Sequence, residues 1–266
     1  MTFHDWLFGI ADNPSVNGRW GLLHILTMVA CVVLIIAFWL IVKKSKNKEK
    51  ATRIIMIVLA SLILFFELTK RFVSGRNAIV GGRLTFLEAV SILLPRPWCA
   101  ISCWMIMISV LVNKKFFYNF ASISALLCSL IFFACPGVGF NNKYILFDNL
   151  YSIVTHALLL TTSISMIVLK VTDFRYKGIW KEAICFVATF VYALIEIFVL
   201  KIEHDPLYFM PEGDIQADIF GISYGLYIVI YIAFLLLFIN TFYLINDRQN
   251  VKKLFKRNKK SVEANQ

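Results

Sequence analysis

Charge is scarce in this sequence, and so is histidine. Only 16% of the 266 residues are charged against 59% hydrophobic, with a mean hydropathy of +0.75. A soluble domain carries about 25% charged residues, so this composition excludes one and points to an all-α, multi-span membrane bundle. The expected organisation is one transmembrane helical domain over residues 1–246, followed by a basic tail over 247–266. There are four histidines, and His4 and His204 fall in flanking or loop sequence. A multi-histidine metal centre inside the bundle is therefore not expected, and neither is a cofactor, since no phosphate-binding glycine loop is present. The six cysteines are scattered along apolar segments, which argues against a disulfide framework. The N-terminus, MTFHDWLFGIADN, has an acidic residue where a signal peptide carries lysines, and it is expected to be retained.

What the sequence has in quantity is apolar segments long enough to span a bilayer. Seven are legible, at about 20–42, 53–72, 93–112, 116–134, 144–169, 178–200 and 219–245. Nineteen of the 27 Lys and Arg residues fall in the loops 43–53, 114–115 and 170–181 and in the tail after Asn246. The positive-inside rule makes that side cytoplasmic, which predicts a multi-pass cell-membrane protein with an extracytoplasmic N-terminus and a cytoplasmic C-terminus. The net charge of +11 is thus a topology signal, and it gives no reason to invoke nucleic acid.

The third segment is interrupted. Pro95 and Pro97 sit inside LLPRPWCAISCWMIMIS. Proline breaks a helix interior yet suits the first helical position, so the spacing predicts a break and a fresh helix from Pro97. Residues 84–94 read as a short re-entrant or interfacial helix. Cys99 then lies in the first turn of the new helix, where unpaired amides and the helix dipole favour the thiolate, the nucleophilic form. Most cysteines in apolar segments are inert, so reactivity requires a basic partner at the same depth.

Counting from the cytoplasmic boundaries supplies one. Cys99 is 14 residues from Asn113, His156 is 14 from Lys170, Glu67 is 14 from Arg53 and Glu196 is 15 from Lys181. At about 1.5 Å per residue these four side chains share one level, roughly 21–23 Å above the inner edge of the membrane core. Ionisable groups at such depth suggest a functional site. Glu67 has a second reading, as a clasp with Lys70 and Arg71 at i+3 and i+4. Glu196 has Tyr192 one turn earlier, and His24 and Asn149 are candidate orienting groups. Lys70, Arg71, Arg83 and Arg96 are basic on the outer side, against the topology preference, and suit lipid phosphates. Cys99 with His156 is the most economical catalytic pair, and Cys103, one turn on, is the competing cysteine.

The order of features, FELTKRF closing the second span, LLPRPWC opening the third and a lone histidine within the fifth, resembles the YwaF-like bacterial integral membrane family and its eukaryotic relative, the family of transmembrane protein 164. Bacterial members show Leu-Pro-Leu-His-Leu-Cys where this chain has Leu94-Pro95-Arg96-Pro97-Trp98-Cys99, so the histidine of that run is absent, while His24 matches a histidine common near the start of the first span. The resemblance implies a cysteine- and histidine-dependent acyltransferase that moves a fatty acyl chain from a diacyl phospholipid to a lysophospholipid.

The expected function is acyl transfer from a phospholipid to a lysolipid or lipoprotein acceptor through a Cys99 thioester, with His156 as base and membrane phospholipids as partners. Two rivals belong to other classes. A broken helix with charges at membrane depth also suits a transporter or substrate-binding membrane subunit. A non-catalytic assembly or receptor protein would use the acidic loop 204–218 as its contact surface.

Overall fold

The computed structural model describes residues 7, 20–80, 94–95, 98–134, 140, 147–200 and 221–248, without the side chains of 74–80 and 148. Among the described residues, seven long helices follow one another: α1 (Leu22–Lys44), α2 (Lys48–Val80), α3 (Trp98–Val112), α4 (Lys115–Ala134), α5 (Phe147–Val168), α6 (Ile179–Leu194) and α7 (Tyr224–Asn246). Six helical stretches are long and apolar enough to cross a membrane, and α3, at 15 residues, is the shorter exception. At 1.5 Å per residue it reaches about 22 Å, less than the roughly 30 Å hydrocarbon core. The protein is a multi-span helical membrane bundle. The expected interfacial helix at 84–94 and the acidic loop 204–218 lie outside the described residues, apart from Leu94.

The chain forms two compact units, Met1–Thr172 and Asp173–Gln266. In the first, α5 is the central helix and packs against α1, α2 and α4, while α3 is held between α2 and α4. Polarity runs opposite to that of a soluble protein. The span of α1 has mean hydropathy 3.1 and is only 11% buried, whereas that of α4 has 1.8 and is 72% buried. Lipid is as apolar as leucine, so helices associate through small and hydroxylated residues that let backbones approach. Ser122 and Ser163 show this, each hydroxyl donating to the other residue's carbonyl at 3.2 and 2.8 Å. Both serines are fully buried. Ser163→Leu is therefore expected to force α4 and α5 apart and destabilise the bundle by about 1–3 kcal/mol, whereas Ser163→Ala should cost about 0.6 kcal/mol. Thermal unfolding in detergent distinguishes the two.

The second unit pairs α6 with α7. A 3-10 turn (Tyr176–Gly178) leads into α6, which relaxes into a π-helical segment, Ile195–Val199, at its end. The buried Glu182 carboxylate accepts a hydrogen bond from the Tyr243 hydroxyl of α7 at 2.8 Å.

One boundary differs from the sequence reading. α2 continues to Val80 rather than ending near Phe72, because nothing between FELTKRF and the next residues breaks a helix. The third helix starts at Trp98, with Leu94 and Pro95 non-helical. This places the break where the prolines put it.

Candidate active site

The start of α3 is fixed from two sides. The buried Trp98 indole N–H donates to Ser124 Oγ of α4 at 2.6 Å, and Ser124 Oγ also pairs with Ser102 Oγ at 2.7 Å. On the other side Arg71 of α2 donates to the carbonyl of Leu94, within the break, and forms an ion pair with Glu67 one turn earlier. The second Glu67 oxygen accepts from the Tyr151 hydroxyl of α5 at 2.8 Å. A continuous polar chain, Tyr151–Glu67–Arg71–Leu94 carbonyl, thus ties α5 and α2 to the segment just before Cys99.

Cys99 lies in the first turn of α3, with its own amide and that of Ala100 directed at the sulfur. It is partly exposed, whereas Cys103, one turn deeper, is 0% exposed and sits in the hydrophobic core with Ile63, Ile106 and Leu159. The five described cysteines are all free thiols.

His156 of α5 is oriented by two contacts. Its ring stacks on Phe132 with centroids 3.8 Å apart and planes 4° from parallel. Its Nδ1 is 2.7 Å from the carbonyl oxygen of Ser152, one turn earlier. A carbonyl only accepts, so Nδ1 carries the proton of the neutral ring and Nε2 keeps its lone pair, the tautomer a general base requires. Lys70 lies within electrostatic reach of both Cys99 and His156, with its ammonium 4.7 Å from the Tyr151 ring centre. Tyr151 is in turn within reach of Cys99 and Cys103. Glu67, Arg71 and Tyr151 are thus joined by hydrogen bonds, and Lys70 is the one group among the described residues within electrostatic reach of Cys99 on one side and His156 on the other; no hydrogen bond joins Cys99 to His156.

The sequence profile of the TMEM164 family matches residues 19–248, most of the chain and every helix of both units. The chain belongs to the TMEM164 family. No curated protein and no solved structure matches it.

The other predicted residues of this TMEM164-family protein have surroundings of their own. His24 is fully buried among Trp20, Phe133 and Phe140, with neither ring nitrogen in a hydrogen bond of normal geometry. It borders the same phenylalanine cluster as His156, through different rings. Asn149 is buried in the first turn of α5 with its Oδ1 unpaired among the described residues. Tyr192 and Glu196 belong to the second unit, where the tyrosine hydroxyl donates to the carboxylate at 2.8 Å and Glu196 sits in the π-helical segment. Of the basic outer residues, Arg71 is committed to Glu67 and Leu94 inside the bundle, and Lys70 stands over Tyr151 instead of completing a clasp with Glu67. Arg83 and Arg96 lie outside the described residues.

Reading the sequence missed three features. Tyr151 gave no signal, because its link to Glu67 spans 84 residues. Glu182 lies near the start of the sixth span, 178–200, beside Lys181, and was not singled out; the structure buries it completely. Gly221-Ile222-Ser223-Tyr224-Gly225 has the Gly-x-Ser-x-Gly spacing of a hydrolase nucleophile elbow. Here Ser223 is the N-cap of α7 in relaxed extended backbone (φ −67, ψ 149), and the left-handed residue is Gly221 (φ 62). The serine starts a helix without the strain of an elbow.

Proposed function

We propose that this TMEM164-family protein is a membrane-embedded acyltransferase that passes a fatty acyl chain from a phospholipid to a lysolipid or lipoprotein acceptor through a Cys99 thioester. The observation that carries the reading is a partly exposed first-turn thiol and a histidine whose Nδ1–H is tied to Ser152, leaving Nε2 as a base, each within electrostatic reach of Lys70. His156 Nε2 takes the thiol proton, and the Cys99 sulfur attacks the ester carbonyl of a glycerophospholipid. Amides of the first turn of α3 offset the charge on the oxyanion. Collapse breaks the ester C–O bond, His156 returns the proton to the leaving lysophospholipid alkoxide, and the acyl chain remains on sulfur. An acceptor hydroxyl or amine then gives its proton to His156 and attacks the thioester, releasing the thiol. The missing direct bond between the two side chains fits this sequence, because catalytic hydrogen bonds tighten when substrate arrives. On this reading the basic loops are cytoplasmic and the Cys99 end of the bundle works in the outer half of the cell membrane.

The test is intact-protein mass spectrometry after incubation with a phospholipid bearing a labelled acyl chain. A hydroxylamine-sensitive acyl mass on the wild-type protein, lost in His156→Ala, is the expected result. An adduct that forms equally in His156→Ala, or none in the wild type, would overturn the mechanism, and a transporter would take its place.

A further inference from the structure

The opposite end of the first unit holds a second site. A cleft of about 750 Å³ opens where the ends of α1, α2, α4 and α5 meet, beside Asn113 just past α3. It carries Lys43, Lys48, Arg53, Lys115 and Lys170 against a single acid, Glu49, and its floor is apolar, from Met56 and Leu169, with the more exposed Val168 and Trp39 beside it and the Lys43 ammonium 4.6 Å from the centre of the Trp39 ring. Cys99 and the cleft residue Asn113 stand at the two ends of α3, about 21 Å apart by helical rise, so this cleft is separate from the neighbourhood of Cys99.

Two features mark it as more than a row of interfacial lysines. Arg53 is fixed, donating to Asn113 Oδ1 at 2.9 Å and to the Tyr118 hydroxyl at 3.1 Å, which holds its guanidinium at the rim. Lys170 ends α5 in left-handed backbone (φ 58). The amide of Val171 reaches the Met166 carbonyl and that of Lys170 reaches Ile167, both at 2.9–3.0 Å, so Lys170 occupies the position in this helix ending that glycine usually takes. A lysine there strains the backbone, and strain of this kind gathers at binding sites.

We propose that this cleft binds a phosphate-bearing amphiphile, with the phosphate on Arg53, Lys115 and Lys170 and the apolar part over Trp39 and Met56. An anionic phospholipid headgroup and a soluble phosphate share that recognition chemistry, since guanidinium and ammonium groups donate to phosphate oxygens and the apolar floor selects for an attached hydrocarbon.

The experiment follows the thermal midpoint of the full-length protein in phosphatidylcholine micelles during titration with phosphatidic acid and, in parallel, with inorganic phosphate. A saturable rise in the midpoint is expected with phosphatidic acid. Lys170→Gly should raise the midpoint of the unliganded protein, by relieving the left-handed lysine, and weaken binding about fivefold. Lys115→Ala should weaken it similarly. Lys50→Ala, which removes a charge from the same loop but does not line the cleft, and Cys99→Ala should leave the affinity unchanged. A rise with inorganic phosphate as well supports a general phosphate site; a rise with the lipid alone supports the headgroup. No saturable rise with either, or an equal loss in Lys50→Ala, shows diffuse surface attraction and overturns the proposal.

Discussion

Cys99→Ala is expected to abolish acyl transfer, on the order of a thousandfold or more, as removal of a covalent nucleophile does elsewhere, while Cys103→Ala retains most of it. The two sulfurs are one turn apart on α3, so sequence spacing alone does not choose between them. Exposure does. Cys103 is 0% exposed within the core cluster, and a lipid ester cannot reach it without opening the contact between α3 and its neighbours; Cys99 is partly exposed at the helix start. Cys103→Ala should appear instead as a loss of packing, about 1–2 kcal/mol in unfolding measurements. Thiol alkylation provides an independent check, since a membrane-permeable maleimide should label Cys99 before Cys103 and inactivate the protein in step with the first label. Full activity in Cys99→Ala, or inactivation that tracks Cys103, would remove the proposed nucleophile. A transporter behaves differently, tolerating the loss of either thiol.

The contrast between these cysteines shows what the sequence does and does not carry. Helix positions were legible, since apolar length and flanking lysines are local quantities, and the break before α3 follows from Pro95 and Pro97 alone. The tie from Glu67 to Arg71 was legible too, as a helical i,i+4 pair. Its completion was not. Tyr151 comes from α5, the Leu94 carbonyl has no side-chain signature, and Lys70, one residue closer to Glu67 in sequence than Arg71, turns to the Tyr151 ring. The tautomer of His156 rests on a backbone carbonyl one turn away and its orientation on Phe132, a contact between α4 and α5 that periodicity does not specify. Depth counting grouped Glu196 with Cys99 through span boundaries, and it did not anticipate that Glu196 accepts a hydrogen bond from Tyr192 on its own helix. Counting fixes a level along the membrane normal and leaves the direction around each helix open.

The second large effect is expected from the polar chain beside the nucleophile. Glu67→Ala takes the carboxylate away from the Arg71 guanidinium, whose side chain is 11% exposed, and the acceptor oxygen away from the Tyr151 hydroxyl. Stranding one member of a buried ion pair costs about 3–5 kcal/mol, so a large drop in thermal midpoint should follow. Glu67→Gln, which keeps an acceptor oxygen but loses the charge, should cost less. Instability alone does not reveal whether the chain also positions Cys99, and the double variant Glu67→Leu/Arg71→Leu separates the two roles. Replacing both charges with apolar side chains of similar size removes the unpaired group and often restores stability. It does not restore the donor to the Leu94 carbonyl, so the break before α3 loses its tie to α2. The double variant is therefore expected to unfold near the wild-type temperature yet form the acyl adduct at least about tenfold more slowly, the effect of displacing a reacting group by a fraction of an ångström to one ångström. If adduct formation recovers together with stability, the Glu67–Arg71 pair is a clasp for the fold, and the placement of Cys99 must come from Trp98 and Ser124 on the other side of the same turn.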